Sequence, residues 1–207
     1  MPPLAPEQFQ ALTGVSRETV GRLEIYATLL RKWSAAINLV APDSLNDPWR
    51  RHLLDSAQLA PLLPGGQPRI ADLGSGAGFP GMVLAILGSG EIHLVESDRR
   101  KAQFLREVSR ETAAGATVHV ARIEELSTLS AGVVTARALA PLDRLLDYVG
   151  HHLAAGGLAL LPKGRGWQTE LTEAERRWSF AATAHPSQSD PEARILEISA
   201  LRRREGR

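Results

Sequence analysis

The chain predicts an α/β fold: a parallel sheet with helices on both faces, preceded by a helical extension. Three observations carry this. A glycine-rich turn, Gly74-Ser75-Gly76-Ala77-Gly78, follows a short apolar run and precedes a helical pattern. From Arg69 onward, short apolar runs alternate with helical segments, the pattern of strands joined by helical crossovers. Before residue 65, apolar residues recur at helical spacing.

In the first 64 residues, Ser16 can cap a helix that runs to about Ala36, with Glu18 and Thr19 in its first turn. Val20, Leu23, Tyr26, Ala27, Leu30 and Trp33 form its apolar stripe. Asn46 or Asp47 caps a second helix, with Pro48 near its first position and Trp49, Leu53, Ala57 and Ala60 as its apolar residues. Pro61 and Pro64-Gly65-Gly66 end this region. Its helices are too few to bury their own stripe, so residues 1–64 are expected to pack on a sheet domain spanning 65–207.

In that domain the expected strands are Arg69–Leu73, Glu91–Glu96, Thr117–Ala121, Val133–Thr135 and Leu158–Leu161. Helices are expected over Pro80–Leu87, Arg99–Ala113, Leu142–Leu153 and Trp167–Arg177. Two last strands, near Phe180–Ala184 and Arg194–Ala200, would close the sheet edge as a hairpin.

Composition bounds the function. The chain has 207 residues and no cysteine, which excludes disulfides, cysteine-ligated zinc and a cysteine nucleophile. No run of 18 apolar residues and no signal-peptide pattern at the N-terminus is present, so the cytoplasm is the expected compartment. The net charge is +1, yet of the 24 basic residues only Lys32, Lys101 and Lys163 are lysine. Arginines cluster at Arg50-Arg51-His52, Arg99-Arg100-Lys101 and Arg202-Arg203-Arg204. Solvated faces or RNA-phosphate contacts both account for such clusters, and composition does not separate them.

The glycine loop carries the chemistry. Gly76-Ala77-Gly78-Phe79-Pro80-Gly81 satisfies the dinucleotide pattern G-x-G-x-x-G, but three features oppose a pyrophosphate. Pro80 has no N–H to give it. Asp72, two positions before the first glycine, would repel it. Glu96 ends the second strand, where a carboxylate can accept both hydroxyls of a ribose with or without phosphates. Together these fit a cationic, phosphate-free nucleoside, S-adenosylmethionine.

The run Asp72-Leu73-Gly74-Ser75-Gly76-Ala77-Gly78-Phe79-Pro80-Gly81 resembles the cofactor loop of the ribosomal RNA small subunit methyltransferase G family, also called glucose-inhibited division protein B. The likeness extends almost end to end. It takes in Asn38-Leu39, Arg51-His52-Leu53-Leu54-Asp55-Ser56, Glu96 with Lys101 and Phe104-Leu105, Arg122-Ile123-Glu124-Glu125, Thr135-Ala136-Arg137-Ala138 and Lys163-Gly164. Val40 departs from the threonine that many members carry. The resemblance implies a class I, Rossmann-like methyltransferase fold. It also implies methyl transfer from S-adenosylmethionine to N7 of a guanosine in the 530 loop of 16S rRNA, the position numbered 527. The partner would be 16S rRNA or the 30S subunit or its precursor, with the chain acting as a monomer.

The resemblance further implies that Gly74 and Phe79 line the cofactor, Ile123 and Glu124 flank its adenine, and Arg137 closes the site. With Asp72, Gly76, Gly78 and Glu96, these are the candidate cofactor residues. Arg137 and Lys163, past the fourth and fifth strands, are candidates for positioning the substrate; an ion pair and a solvated strand end are their alternatives. Arg50, Arg51, His52 and Lys163 are candidate RNA contacts, and His52 and Asp55 share a helix face. No histidine spacing supports a metal site. Exocyclic-amine methylation is disfavoured, because Ala136-Arg137-Ala138-Leu139 stands where amino-methylating enzymes carry Asn/Asp-Pro-Pro-aromatic. A methyltransferase for a small molecule or protein, and a non-catalytic RNA-binding module, are the competing readings.

Overall fold

The computed structural model describes residues 2–204; Met1 and the last three residues of the expected 65–207 domain lie outside them. Two α-helices open the chain, α1 (Pro6–Thr13) and α2 (Arg17–Ser34). Ser16 caps α2 as expected, its hydroxyl accepting the Thr19 N–H at 3.2 Å.

The expected second helix is broken up. A 3-10 turn at Pro42–Asn46 precedes a π-helical turn at Trp49–Leu54, which runs into the short α3 (Asp55–Ala57). Asp47 is the cap: its Oδ1 accepts the N–H of Arg50 at 3.1 Å and that of Leu4 at 3.0 Å. The widened turn changes which side chains share a face, and it turns His52 inward, 6% exposed, beside exposed Arg51.

The sheet follows, with β1 (Arg69–Leu73), α4 (Gly81–Ile86), β2 (Glu91–Glu96), α5 (Arg99–Glu111), β3 (Thr117–Val120) and β4 (Ala131–Thr135). It continues through α6 (Leu142–His152), β5 (Leu153–Lys163), α7 (Trp167–Ala174), β6 (Trp178–Pro186) and β7 (Arg194–Arg203). The strand order is β3-β2-β1-β4-β5-β7-β6. Neighbours from β3 to β5 are parallel, while β7 is antiparallel to both β5 and β6. The closing hairpin is present, and its second strand is the inner one. The sheet is therefore mixed, with β7 as its reversed strand. β5 starts directly from the end of α6, well before the expected Leu158.

Alternation along the strands builds two cores. Ile70, Leu94, Val133, Leu160 and Ile195 face one way, into a cluster with Phe9, Leu23, Tyr26 and Leu30 of the first two helices and with α4 and α5. Ala71, Val95, Val134, Leu161 and Leu196 face the other, against α6 and α7. The stripe of α2 is thus buried on the sheet's own core. Each fully buried Leu or Phe there stabilises the fold by about 1.5–3 kcal/mol. No helix is long and apolar enough to cross a membrane, among the described residues.

Candidate cofactor and substrate site

The site lies at the carboxyl ends of β1, β2, β4 and β5, flanking the point where the strand order reverses between β1 and β4. Two cavities open there. One, of about 690 Å³, is lined by Gly74, Gly76, Phe79, Glu96, Ile123 and Glu124 among others. The other, of about 1070 Å³, runs from Arg50 and Asp55 across to Lys163, Glu170 and Arg194. They share one wall, built by Arg51, Arg137, Ala138 and Leu139.

The glycine loop spends its own amides. Ser75 N–H donates to Val95 O at 3.0 Å and Gly78 N–H to Ser75 O at 2.6 Å. The Gly76 N–H donates to Glu96 Oε2 at 2.8 Å, while Glu96 Oε1 accepts the Asp98 N–H at 2.7 Å. A pyrophosphate would find these donors taken and a buried carboxylate in place. The same cavity offers the Glu96 and Glu124 carboxylates and apolar contacts from Ile123, Val95 and Leu39. Those acceptors and apolar faces fit a ribose, an adenine and a cationic tail. The residues present therefore fit S-adenosylmethionine.

Two of the expected cofactor residues act from behind the loop. Asp72 is completely buried and lines neither cavity. Its Oδ1 accepts the Thr135 hydroxyl at 2.9 Å, and its Oδ2 has no hydrogen-bond partner. Burial is the main cause that raises its pKa from 3.8 to about 6, against the hydrogen bond from Thr135; the Ser75 hydroxyl donates to the Asp72 backbone carbonyl instead. Gly78 also lines neither cavity; at φ +92° a Cβ there would stand 2.7 Å from Tyr26 Oη and 2.8 Å from Met82 Cβ. Direct contact with a ligand is thus replaced, for both, by support of the loop.

Beneath the shared wall stands a stack. Phe79 stacks face to face with Tyr26 (centroids 5.2 Å apart) and with His52 (4.8 Å). The Arg137 guanidinium lies 4.9 Å from the Phe79 ring centre. Tyr26 donates its hydroxyl to Ala77 O, tying α2 to the loop. Arg137 Nη1 donates to Asp55 Oδ2 at 3.0 Å and to Arg51 O at 3.1 Å, and Nη2 to His52 Nδ1 at 3.1 Å. Arginine has only donors, so His52 Nδ1 must accept. The proton then sits on Nε2, which donates to Ser44 Oγ at 2.8 Å; that hydroxyl donates on to Ala41 O at 2.6 Å. Burial, then the charges of Arg137 and Arg51, lower the His52 pKa to about 3. His52 is a neutral, committed strut, which removes it from the candidate RNA contacts.

Lys163 and Arg50 are also committed. Lys163 Nζ donates to Glu170 Oε2 at 2.8 Å and to Ala140 O at 3.1 Å, and the same Glu170 oxygen accepts the Leu142 N–H at 2.8 Å. Lys163 thereby fixes the start of α6 at the edge of the larger cavity rather than reaching freely for phosphate. Arg50 Nε is paired with Asp47 at 3.1 Å. Of the first arginine cluster only Arg51 is exposed and, among the described residues, free of ion pairs. Arg122 and Arg144 share both properties and line the smaller cavity with it. Arg144 carried no motif in the sequence. Ser44 was equally silent; Tyr26 had a signal, as the polar-tipped member of the α2 stripe.

The chain resembles known proteins along nearly its whole length. Its residues 19–194 match the family model described as rRNA small subunit methyltransferase G. It is 54% identical over 200 residues to the ribosomal RNA small subunit methyltransferase G of Paramagnetospirillum magneticum, covering 97% of this chain and 98% of that protein. It is 53% identical over 200 residues to the protein of the same name in Rhodospirillum centenum, covering 97% and 93%. Among solved structures, a TehB-like SAM-dependent methyltransferase from Corynebacterium glutamicum superposes with a TM-score of 0.57 at 19% identity, over 86% of this chain and 98% of that one. This likeness shows the fold, a class I methyltransferase sheet. With the cofactor cavity described above, these matches establish that the chain belongs to the rRNA small subunit methyltransferase G family and is an S-adenosylmethionine-dependent methyltransferase.

Proposed function

We propose that this chain methylates N7 of a guanosine in the 530 loop of 16S rRNA, at the position numbered 527. The observation that carries the reading is the wall between the cavities. Its ionisable groups are the Arg51 and Arg137 guanidiniums, and the nearest imidazole, His52, is held neutral with both nitrogens engaged. The wall itself has no group fit to remove a proton, and the carboxylate beside it, Asp55, is engaged by Arg137 at 3.0 Å and by the Ser189 hydroxyl at 2.6 Å. Such a wall suits a nucleophile that already carries a free lone pair, as guanine N7 does.

When bound, S-adenosylmethionine supplies a sulfonium methyl for in-line displacement. The chain's own part is to bind and align. Arg137 keeps its Nε–H and one Nη2 hydrogen for the guanine edge or a phosphate, since its other donors go to Asp55, Arg51 and His52. Phe79 and His52 hold that guanidinium in place. Lys163 and Glu170 shape the far side of the larger cavity, where the base would enter. Alignment of this kind can supply about 7–11 kcal/mol of the barrier.

A base in an RNA loop can be splayed into such a cavity at lower cost than one in a duplex. The substrate is 16S rRNA within the 30S subunit or its precursor. The chain acts as a monomer, because one chain builds both cavities and their shared wall, and it works in the cytoplasm, where ribosomal RNA is made. Residues 1–64 form an extension of the 65–207 methyltransferase domain.

Mass-spectrometric mapping of 16S rRNA from cells with and without the protein tests this. N7-methylguanosine in the 530 loop should vanish with the protein and return on complementation. Its persistence would refute the assignment. Methylation of naked 16S rRNA at a rate equal to that of 30S particles would refute the particle substrate.

A further inference from the structure

The loop between β3 and β4 carries Ile123 and Glu124, which line the smaller cavity. Arg69 Nη1 holds the far end of this loop at Leu129 O, 3.3 Å away, and two adjacent histidines at the end of α6 hold the part that carries Ile123. His151 Nε2 donates to Leu126 O at 2.9 Å. His152, completely buried and lining neither cavity, donates from Nε2 to Ile123 O at 3.0 Å, and its Nδ1 accepts a long hydrogen bond from Leu129 N–H at 3.4 Å. This leaves the ring neutral with its proton on Nε2. β5 starts at the next residue, so the ring is anchored at a helix–strand junction with no slack.

The carbonyl of Ile123 and the N–H of Glu124 belong to one peptide unit, and it is trans. In a trans peptide these two groups point in opposite directions. A carbonyl drawn inward to His152 turns the Glu124 N–H outward. That N–H donates to no acceptor among the described residues.

We propose that His152 is a positioning residue for cofactor recognition: by holding the Ile123 carbonyl it aims the Glu124 N–H into the smaller cavity, as the donor that reads the adenine ring nitrogen N1. The proposal rests on the reading of Ile123 and Glu124 as adenine contacts. Adenine N1 accepts a hydrogen bond, whereas the corresponding position of hypoxanthine carries a hydrogen. A fixed donor there rejects the second base, because two donors would face each other without an acceptor.

The test compares His152→Gln with His152→Asn by calorimetric titration, using S-adenosylhomocysteine and its inosine counterpart as probes. A glutamine amide reaches the place of Nε2; an asparagine amide reaches only the place of Nδ1. The wild type and His152→Gln should prefer the adenosine probe by at least tenfold. His152→Asn should bind it about tenfold more weakly and lose most of that preference. Equal preference in the two variants would overturn the proposal even if both are less stable, since general loosening does not select between bases. Should His152→Asn fail to fold, loss of the preference in a folded His152→Gln would overturn it equally. The Glu124 amide resonance of the wild type separates the underlying reading. It should move on adding S-adenosylhomocysteine. An unmoved resonance would overturn the adenine contact itself, whereas a moved one with equal preferences would overturn the role of His152 alone.

Discussion

Asp72 sits under the cofactor loop as a carboxyl group with no exposure and one oxygen unpartnered. Its folded pKa of about 6 lies above the ordinary 3.8, so the folded state holds this proton more tightly than the unfolded one. The stability that this confers is complete below about pH 4 and is lost as the pH rises through 6. Asp72→Asn keeps an acceptor for the Thr135 hydroxyl and removes the buried charge. Its stability relative to wild type should therefore improve between pH 4 and pH 8, by about 2 kcal/mol. Urea unfolding at the two pH values measures this, and an unchanged difference would contradict the buried ionisation. His52 makes the opposite case, with a pKa lowered to about 3. His52→Gln should keep measurable methyl transfer, and its rate profile between pH 6 and 9 should have the wild-type shape. An acidic limb present in the wild type and absent from the variant would show that His52 titrates during turnover.

At the scale of elements, the π-helical turn at Trp49–Leu54 sorts the basic cluster. It lays Arg50 along Asp47, leaves Arg51 in solvent at the shared wall, and buries His52 under Arg137. A uniform α-helix would space these three differently. Phosphate contact should then belong to Arg51 together with Arg144, across the mouth of the smaller cavity. Arg51→Ala and Arg144→Ala should each reduce the slope of log affinity against log salt by about 0.7–0.9. Arg50→Ala should change it much less, because its charge is already neutralised by Asp47. Filter binding to a 16S rRNA fragment over a salt series makes the comparison. Equal slopes for Arg50→Ala and Arg51→Ala would remove the distinction.

Across the whole molecule, the N-terminal helices and the sheet share one core. Phe9, Leu23, Tyr26 and Leu30 belong to the same buried cluster as Ile70, Met82, Phe104 and Leu160. Tyr26 also reaches the cofactor loop through its hydroxyl and its stacking on Phe79. Unfolding should therefore be a single transition, with circular dichroism and tryptophan fluorescence coincident. A chain lacking residues 1–64 should lose cooperative unfolding, since it would expose the face on which those helices lie. A cooperative transition in that truncated chain would show that the sheet domain stands alone.

Much of the fold was legible along the chain, for local reasons. Arg69–Leu73 and Glu91–Glu96 are short apolar runs bounded by glycine or charge, and they form strands with those limits. The cap at Ser16 marks a helix start through a side-chain oxygen that accepts a nearby amide. The glycine loop, with Asp72, Pro80 and Glu96, also pointed to a phosphate-free nucleoside, because the number of free amides and the sign of the charge follow from residue type. The family resemblance supplied the reaction. What the sequence could not show was which charged groups are already paired. Arg50, Lys163 and Arg137 look alike as isolated cations. Asp47 stands only three residues from Arg50, so that pair is local; Glu170 and Asp55 meet Lys163 and Arg137 across 7 and 82 residues, which only the folded chain brings about. The tertiary structure alone turns Asp72 and Gly78 from ligand contacts into supports, and brings His152 under Ile123. Residue type and local spacing determine elements and the chemistry available to them. Pairing and burial depend on which distant surfaces meet, and those decide whether a charge is free to act.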